Sequence, residues 1–504
     1  MTLSDLTATL PAAQLRGDGT VEVTGVTHDS RRVEKGHVFV AIEGLRLKGT
    51  QFIRDAIDRG AAAVVSSLPP QAGFPSVPWV TVADTRAALS RLAANVSGCP
   101  TERMRVIGVT GTSGKTTTCY LASAVFASGG VPCGLMGTIE VRTKAGARKS
   151  SLTTPEATDI HATARAMFDE GTRLLVMEVS SHSLKLRRVD DVDFDVAVFT
   201  NLGHDHLDFH GDLDDYARSK AVLFSDLLRI GKGRGAVVNG MDRWTDRITG
   251  KYRGDVFRFS YEDRPGIDIA PTSWRATLEG IEGRIRTPWG AIEVSSPLLG
   301  RHNMLNIMAA AGVGLLSGIP PAKVEEGIAK LERVPGRMEK VPGADGRMVI
   351  VDYSHTPDSI RAALDSLADL TRGRIITVFG AGGDREKGKR PLMGKAAAQG
   401  SAACVATSDN PRSEDPDAII AMIVEGLEEG GMRRGSSLEK GAYVVMPDRR
   451  EAIRFAVAGS RPGDVVLVAG KGHEDYQIFR DKVIHFDDRE VVAEALSDSG
   501  FALP

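Results

Sequence analysis

The stretch Arg105-Val106-Ile107-Gly108-Val109-Thr110-Gly111-Thr112-Ser113-Gly114-Lys115-Thr116-Thr117 joins an apolar run to a glycine turn and then to a helical pattern. Residues 105–110 read as a buried strand. Glycines let backbone N–H groups close around phosphate oxygens, and the helix N-terminus adds positive dipole. Gly111, Thr112, Ser113, Gly114, Lys115, Thr116 and Thr117 therefore read as a nucleotide-phosphate cradle. Lys115 would reach the β- and γ-phosphates, and the Thr116 hydroxyl would ligate Mg²⁺. A strict G-x-x-x-x-G-K-[ST] needs glycine at 109, where the chain has Val109. The tighter G-T-x-G-K-T-T form is still specific between a strand and a helix. The plainer alternative is a glycine-rich turn with a surface lysine.

Outward from this loop, strand patterns alternate with helical ones. Apolar runs at 174–177, 196–199 and 236–238 and helical stretches at about 156–170 and 214–228 extend the same block. Residues 256–296 read as β-rich, and a small-residue helix fits 301–317. Strands alternating with helices imply a mainly parallel sheet. Upstream, β-like runs at 38–42, 63–65 and 79–82, helical patterns near 50–58 and 84–96, and a Pro/Gly-rich stretch at 69–78 form a smaller α/β unit. Downstream, strand candidates at 349–351, 375–378, 404–406, 444–445 and 465–468 again suggest a doubly wound sheet. In such sheets ligands bind beyond the carboxyl ends of strands. That rule picks out 352–355, 380–389, 408–412 and 470–474.

Composition bounds the rest. The chain has 504 residues, which at about 150 per domain predicts roughly three domains. Hydrophobic residues make up 42% and charged residues 25%, which excludes a disordered chain, collagen and a disulfide scaffold. Lys and Arg number 63 against 65 Asp and Glu, so nothing pulls the chain toward nucleic acid or an anionic membrane. Cys99, Cys119, Cys133 and Cys404 form no C-x-x-C pair and fit a reducing compartment. The first residues carry no basic and apolar leader pattern, and no run of about 18 apolar residues occurs, so membrane insertion is not expected.

Several polar positions invite chemistry, and each has a plainer reading. Glu178 ends an apolar run and is a candidate second Mg²⁺ ligand. His204, Asp205, His206, Asp208 and His210 crowd one loop. They suggest either a metal site or a solvated polar loop; the lack of a cysteine partner argues against structural zinc. Lys220 lies in a helical stretch, where a lone lysine is ordinarily solvated. Asp29-Ser30-Arg31 and Asp409-Asn410-Pro411 are also good turn sequences, and Asp352 is also a simple strand-end carboxylate. Residues 383–391 form a strongly basic loop.

Together these motifs resemble the Mur ligase family, which includes the peptidoglycan amino-acid ligases and the folylpolyglutamate synthetases. The resemblance covers nearly the whole chain. It implies an α/β protein of three domains: an N-terminal UDP-binding domain (1–102), a central P-loop ATPase-like parallel-sheet domain (103–334) and a C-terminal Rossmann-like, amino-acid-binding domain (335–504). It implies ATP and Mg²⁺ as cofactors, with Thr116, Glu178, His206 and Lys220 at the metal and Lys115, Lys220, His206 and Glu178 as the catalytic set. Lys220 would carry a carbamate, since a bare ammonium beside Mg²⁺ would be repelled. Asn303 would contact adenine, and Arg337, in a hinge motif at Pro335-Gly336, would reach the nucleotide with Asp352.

Ser30 matches a UDP contact, and Thr153, Thr154, Ser180 and Arg188 match contacts to a UDP-muramoyl peptide. The chain departs from the family pattern at Leu186, where glutamine is usual, and at Lys48, where an acid is common. In the last block Asp409, Asn410, Pro411 and Arg412 spell the D-N-P-R of members that add meso-diaminopimelate, with Arg385, Gly470 and Glu474 as further contacts. The physics agrees, because a planar guanidinium grips the distal carboxylate that lysine lacks. The implied reaction joins UDP-MurNAc-L-Ala-D-Glu and meso-diaminopimelate through an acyl-phosphate, in a cytoplasmic monomer with only small-molecule partners. A lysine-adding or folate-type ligase would keep the phosphate loop and change the last block. A regulatory nucleotide binder would bind ATP without releasing phosphate.

Overall fold

The computed structural model describes residues 1–44, 47–70, 77–231, 233–342 and 347–498. Part of the Pro/Gly-rich stretch, residues 71–76, lies outside them. The chain divides into two compact units. One holds Met1–Ala270, Thr287–Trp289 and Met308–Val324; the other holds Pro271–Arg286, Gly290–Ile307 and the chain from Glu325 onward.

In the first unit, the N-terminal sheet runs Gln14–Arg16, Trp79–Thr81, Ala63–Ser66, His37–Val40, Gly25–Thr27. Its first pair is antiparallel and the rest are parallel. Alternation along the strands feeds two cores. Val38, Val40 and Val65 pack with Leu89 and Leu92 of helix Thr85–Val96. Phe39, Val64 and Trp79 pack on the other face with Ile53 and Ala56. The helix expected near 50–58 is split into a 3₁₀ turn, Gly49–Phe52, and an α-helix, Ile53–Asp58.

A larger sheet of the same unit runs Val256–Phe259, Gly235–Asn239, Val196–Phe199, Arg105–Thr110, Leu174–Glu178, Cys133–Met136, Glu140–Thr143, Gly146–Lys149. The first six are parallel, and the last two form a hairpin. Arg105–Thr110 is central, with later strands on both sides, so its loop opens at a switch in strand order, where such sheets bind ligands. Register then places chemistry: Glu178 pairs level with Val109, and Phe199 with Thr110. The helix expected over 214–228 is α only over Leu213–Val222 and continues as a π-helical turn, Leu223–Leu227.

In the second unit a sheet runs Glu339–Pro342, Met348–Asp352, Val465–Ala469, Ile375–Phe379, Ala403–Ala406, Ala442–Val445, Arg433–Arg434, all parallel except the first pair. Buried on both faces, its inner strands are mostly Val, Ile, Leu and Ala. Asp352 and Phe379 both pair level with Ala469. The loops after these three strands therefore leave at one height. A three-stranded sheet, Ala270–Ala276, Ile281–Thr287 and Gly290–Ser296, accounts for most of the β-rich stretch. Among the described residues no helix is long and apolar enough to cross a membrane.

Candidate active site

Strand Arg105–Thr110 delivers the glycine loop to helix Lys115–Ser128. Gly111 (φ 151°) and Gly114 (φ 86°) adopt backbone that a side chain would strain. At Gly111 a Cβ would fall 1.8 Å from Thr200 Oγ1. The end of the neighbouring strand Val196–Phe199 holds the loop. Asn201 Oδ1 accepts from Ser113 N–H (3.0 Å), and Thr200 Oγ1 donates to Ser113 O (2.6 Å). Lys115 Nζ lies over the loop, donating to Gly111 O (2.8 Å) and Thr112 O (2.9 Å).

Glu178 is the hub of this unit. Its buried carboxylate accepts from the Thr116 hydroxyl at 3.0 and 3.1 Å, from Thr138 N–H at 2.7 Å and from Thr138 Oγ1 at 3.0 Å. Thr138 Oγ1 also lies 3.1 Å from Thr153 Oγ1. Thr154 Oγ1 donates to Glu178 O (2.9 Å) and accepts from Ser180 N–H (3.0 Å). Arg188 donates to Thr154 O (3.2 Å) and pairs with Glu156 (2.7 Å). Thr116, Glu178, Thr153, Thr154, Ser180 and Arg188 are thus one connected cluster. Sequence reasoning missed its linker, Thr138. The signal was Gly137-Thr138 after an unassigned strand, Cys133–Met136: a Cβ at 137 would sit 2.5 Å from Glu178 Oε1. Ser30 lies apart, buried at the start of the 3₁₀ turn Ser30–Arg32, which is tied to the middle block by Arg32–Asp159 (2.8 Å).

Of the crowded histidines, His206 and His210 turn toward His182, at ring distances of 4.8 and 5.7 Å, while His204 is exposed. His206 begins helix Leu207–His210 in left-handed backbone (φ 55°) and keeps 47% of its side chain exposed. His210 is buried, bridging Ser181 Oγ (2.9 Å) and Asp215 Oδ2 (3.1 Å). Lys220 departs from the ordinary reading of a helix lysine. It is 1% exposed, donates to Gly111 O (2.9 Å) and lies 4.4 Å from the Tyr216 ring. Burial, and then Lys115, pushes its ammonium well below the usual lysine range. The hydroxyl and carboxylate oxygens of Thr116 and Glu178 suit a hard cation, whereas two neighbouring ammonium groups do not. A carbamate on Lys220 would remove that conflict. A cavity of about 740 Å³ elsewhere in this unit, lined by Leu10, Arg91, Leu184, Asp190, Ser219 and Leu227, contains none of the sequence-assigned residues.

In the second unit, the loops after Ile375–Phe379, Ala403–Ala406 and Val465–Ala469 meet, because Phe379 pairs level with both Ala406 and Ala469. Asn410 Nδ2 donates to Glu474 Oε2 (2.8 Å), and Asn410 O accepts from Gly383 N–H (2.9 Å). Arg412 has left-handed backbone (φ 54°), and its Nη1 donates to Gly383 O (2.8 Å). A Cβ at Gly382 would lie 2.9 Å from Arg412 Nη1 and 3.7 Å from Arg385 Cγ, so the Arg412 guanidinium and the Arg385 stem flank that glycine. At Gly470 a Cβ would meet Asp409 Oδ2 at 2.6 Å. Asp409, Asn410, Arg412, Arg385, Gly470 and Glu474 are therefore neighbours. Burial and then Asp409 raise the Glu474 carboxyl, while Lys471 and Asn410 oppose them.

The basic loop at 383–391 is less basic than its composition. Arg390 is 1% exposed and forms a two-pronged pair with Glu414 (3.0 and 2.7 Å). Glu414 also accepts from Asp384 N–H (2.6 Å), which ties the loop down. The nucleotide candidates of this unit are also in part assembled. Asp352 Oδ2 accepts from Met338 N–H (2.7 Å), and Arg337 lies over the Tyr353 ring at 4.7 Å. Asn303 is buried, donating to Leu299 O (2.7 Å) and accepting from Asn306 (2.7 Å).

Family comparison agrees with this geometry. Residues 109–314 match the Mur ligase middle domain, 336–472 the Mur ligase glutamate ligase domain, and 22–101 the Mur ligase family catalytic domain. The chain belongs to the Mur ligase family. This Mur ligase is 43% identical to the UDP-N-acetylmuramoyl-L-alanyl-D-glutamate--2,6-diaminopimelate ligase of Geobacter metallireducens, over 99% of both chains. It is 40% identical to the protein of that name in Geobacillus kaustophilus, over 99% of this chain and 100% of the relative. A solved structure of a UDP-N-acetylmuramoyl-L-alanyl-D-glutamate--2,6-diaminopimelate ligase aligns over 100% of both chains, with TM-score 0.68 and 30% identity. The MurF ligase from Thermotoga maritima in complex with ADP shares the fold, with TM-score 0.61 and 18% identity over 95% of this chain and 98% of that one.

Proposed function

We infer that this Mur ligase adds meso-2,6-diaminopimelate to UDP-MurNAc-L-Ala-D-Glu at the expense of ATP, in peptidoglycan precursor synthesis. The observation that carries the reading is the Asp409-Asn410-Pro411-Arg412 turn, in which Asn410 bonds Glu474 and Arg412 bonds Gly383 O: it brings a guanidinium and a carboxylate to one group of loops. Such a pair matches the distal carboxylate and ammonium of the diamino diacid. The relatives that carry the same activity in their names are 40% and 43% identical over almost the whole chain.

The D-glutamyl γ-carboxylate attacks the γ-phosphate of ATP, giving an acyl-phosphate and ADP. The loop amides and Lys115 neutralise the charge that builds on the moving phosphoryl group. Thr116, Glu178, His206 and a carbamylated Lys220 would hold Mg²⁺, which when bound supplies charge neutralisation at the phosphates. Thr153, Thr154, Ser180 and Arg188 orient the muramoyl peptide, and Ser30 its UDP end. Asn303, Arg337 and Asp352 take the adenosine part. Arg385, Arg412, Asp409, Asn410, Gly470 and Glu474 hold the diamino acid while its free amine attacks the acyl-phosphate and phosphate leaves. We assign residues 1–102, 103–334 and 335–504 to the three domains, working as a cytoplasmic monomer.

The test is phosphate release from ATP with the UDP-muramoyl dipeptide and a panel of meso-diaminopimelate, L-lysine, L-ornithine and L-glutamate. Release with the diacid far above the others is expected. Equal rates with lysine would overturn the amine assignment, and no release with any amine would overturn the ligase reading.

A further inference from the structure

Lys471 lies inside the amine pocket, and none of the substrate contacts above uses it. Its side chain is fully buried. Nζ is 3.2 Å from Asn410 Oδ1, 3.5 Å from Glu474 Oε2 and 3.8 Å from Asp409 Oδ1, and 5.5 Å from the Tyr476 ring. Burying a lysine is costly unless its charge is met. Here it is met by three residues assigned to the diamino acid. The backbone is bent to put it there: Gly470 (φ 119°) and Gly472 (φ 51°) flank it in left-handed conformations.

The charges of this pocket can be balanced. Arg449 and Asp488, both buried, close on each other through bonds of 2.8 and 2.7 Å. Arg385 and Asp384 are exposed, opposite in sign and screened by solvent. What remains is Arg412 and Lys471 against Asp409 and Glu474, two positive groups against two negative. A pocket that is neutral overall but has separated poles is complementary to a zwitterion. The distal carbon of diaminopimelate carries an ammonium and a carboxylate, and that of lysine an ammonium alone.

We propose that Lys471 is a specificity-determining residue: its resident ammonium cancels one of the two pocket carboxylates, so that a zwitterionic distal end is preferred to a purely cationic one. This rests on the ligase reading above. Without Lys471 the pocket is net negative. The surplus carboxylate then serves as an internal counter-charge for Arg412, and a lysine side chain no longer leaves that guanidinium uncompensated.

The experiment compares kcat/KM for meso-diaminopimelate and L-lysine at saturating ATP and UDP-muramoyl dipeptide, in the full-length wild type, Lys471→Met, Asp409→Asn and the double variant. In Lys471→Met the preference for the diacid should fall at least about tenfold, through the KM of the amine, with the KM of ATP unchanged. Adding Asp409→Asn restores neutrality and should recover part of the lost preference, which a merely structural lysine would not allow. Asp409→Asn alone leaves the pocket net positive and should disfavour lysine further; this variant decides the matter if Lys471→Met fails to fold. A preference that stays within about twofold of wild type in Lys471→Met, or that falls in Asp409→Asn alone, overturns the proposal. Wild type that releases no phosphate with either amine fails the ligase reading instead, and does so before any variant is compared.

Discussion

The proposed phosphate loop would hold its ligand through the main chain, the proposed amine pocket through side chains. Residues 111–115 are contiguous, shaped by two left-handed glycines, and pinned by Thr200 and Asn201 from the neighbouring strand end. The amine pocket draws on 382–385, 409–412 and 470–474, three loops that meet because their strands end level. A phosphate needs many N–H groups in a small arc, which one glycine-rich turn supplies. A diamino diacid needs opposite charges held apart, which one short segment cannot supply. The first site should therefore be sensitive at single local residues. The second should tolerate loss of one contact at the expense of affinity.

The largest effect is expected at Lys115. Lys115→Ala should lower phosphate release by about a thousandfold or more, because it removes a charge aimed at the transferring group. Positional isotope exchange in ATP with the dipeptide alone reads the same loss without the amine. Lys220→Ala should lose activity on a similar scale. Short carboxylates added to the assay should restore a part of it by standing in for the carbamate. Full activity in that variant would remove Lys220 from the metal set.

Arg412→Ala should raise the KM for meso-diaminopimelate by about a hundredfold while the KM for ATP stays within about twofold. Arg412→Lys should not rescue it, since an ammonium cannot form the two parallel bonds of a guanidinium. Equal losses for both ligands would erase the contrast between the two sites. Thr138→Val is the milder probe of the phosphate side. It removes a hydroxyl bond to the Glu178 carboxylate, worth about 1.5–3 kcal/mol, or roughly ten- to a hundredfold in kcat.

How much of this was legible follows from the same contrast. The strand Arg105–Thr110, its loop and the helix from Lys115 are readable because period, glycines and charge lie in one stretch. Strand Cys133–Met136 is not: it is four residues long, contains Gly134 and has no β-branched residue, and with it Thr138 escaped notice. Arg390 read as part of a strongly basic loop because its partner, Glu414, is 24 positions away. Lys471 falls in the strand-end stretch 470–474, but its burial among Asp409, Asn410 and Glu474 exists only in three dimensions. Lys220 looked like a surface lysine on its helix. Its burial comes from contact with Gly111 O, 109 residues earlier in the chain. At Arg390, Lys471 and Lys220 the missing term was a tertiary partner.

The smallest expected effect sharpens the comparison by pH. The amine loop depends on Arg390–Glu414, and the Arg390 guanidinium holds the Glu414 carboxyl down at about 2 against an ordinary 4.5. A carboxylate held below its unfolded value stabilises the fold above pH 4.5, and that contribution is lost as pH falls through 4.5 toward 2. Glu414→Gln should therefore lower Tm by roughly 2 °C near neutrality, with the gap to wild type closing on acidification. Because Glu414 also accepts from Asp384 N–H, the variant should raise the KM of the diamino acid a few fold. Isotope exchange at the phosphate loop, which Thr200 and Asn201 pin, should be unmoved. A gap that widens toward pH 2 would mean that the Arg390–Glu414 pair is not what anchors the loop.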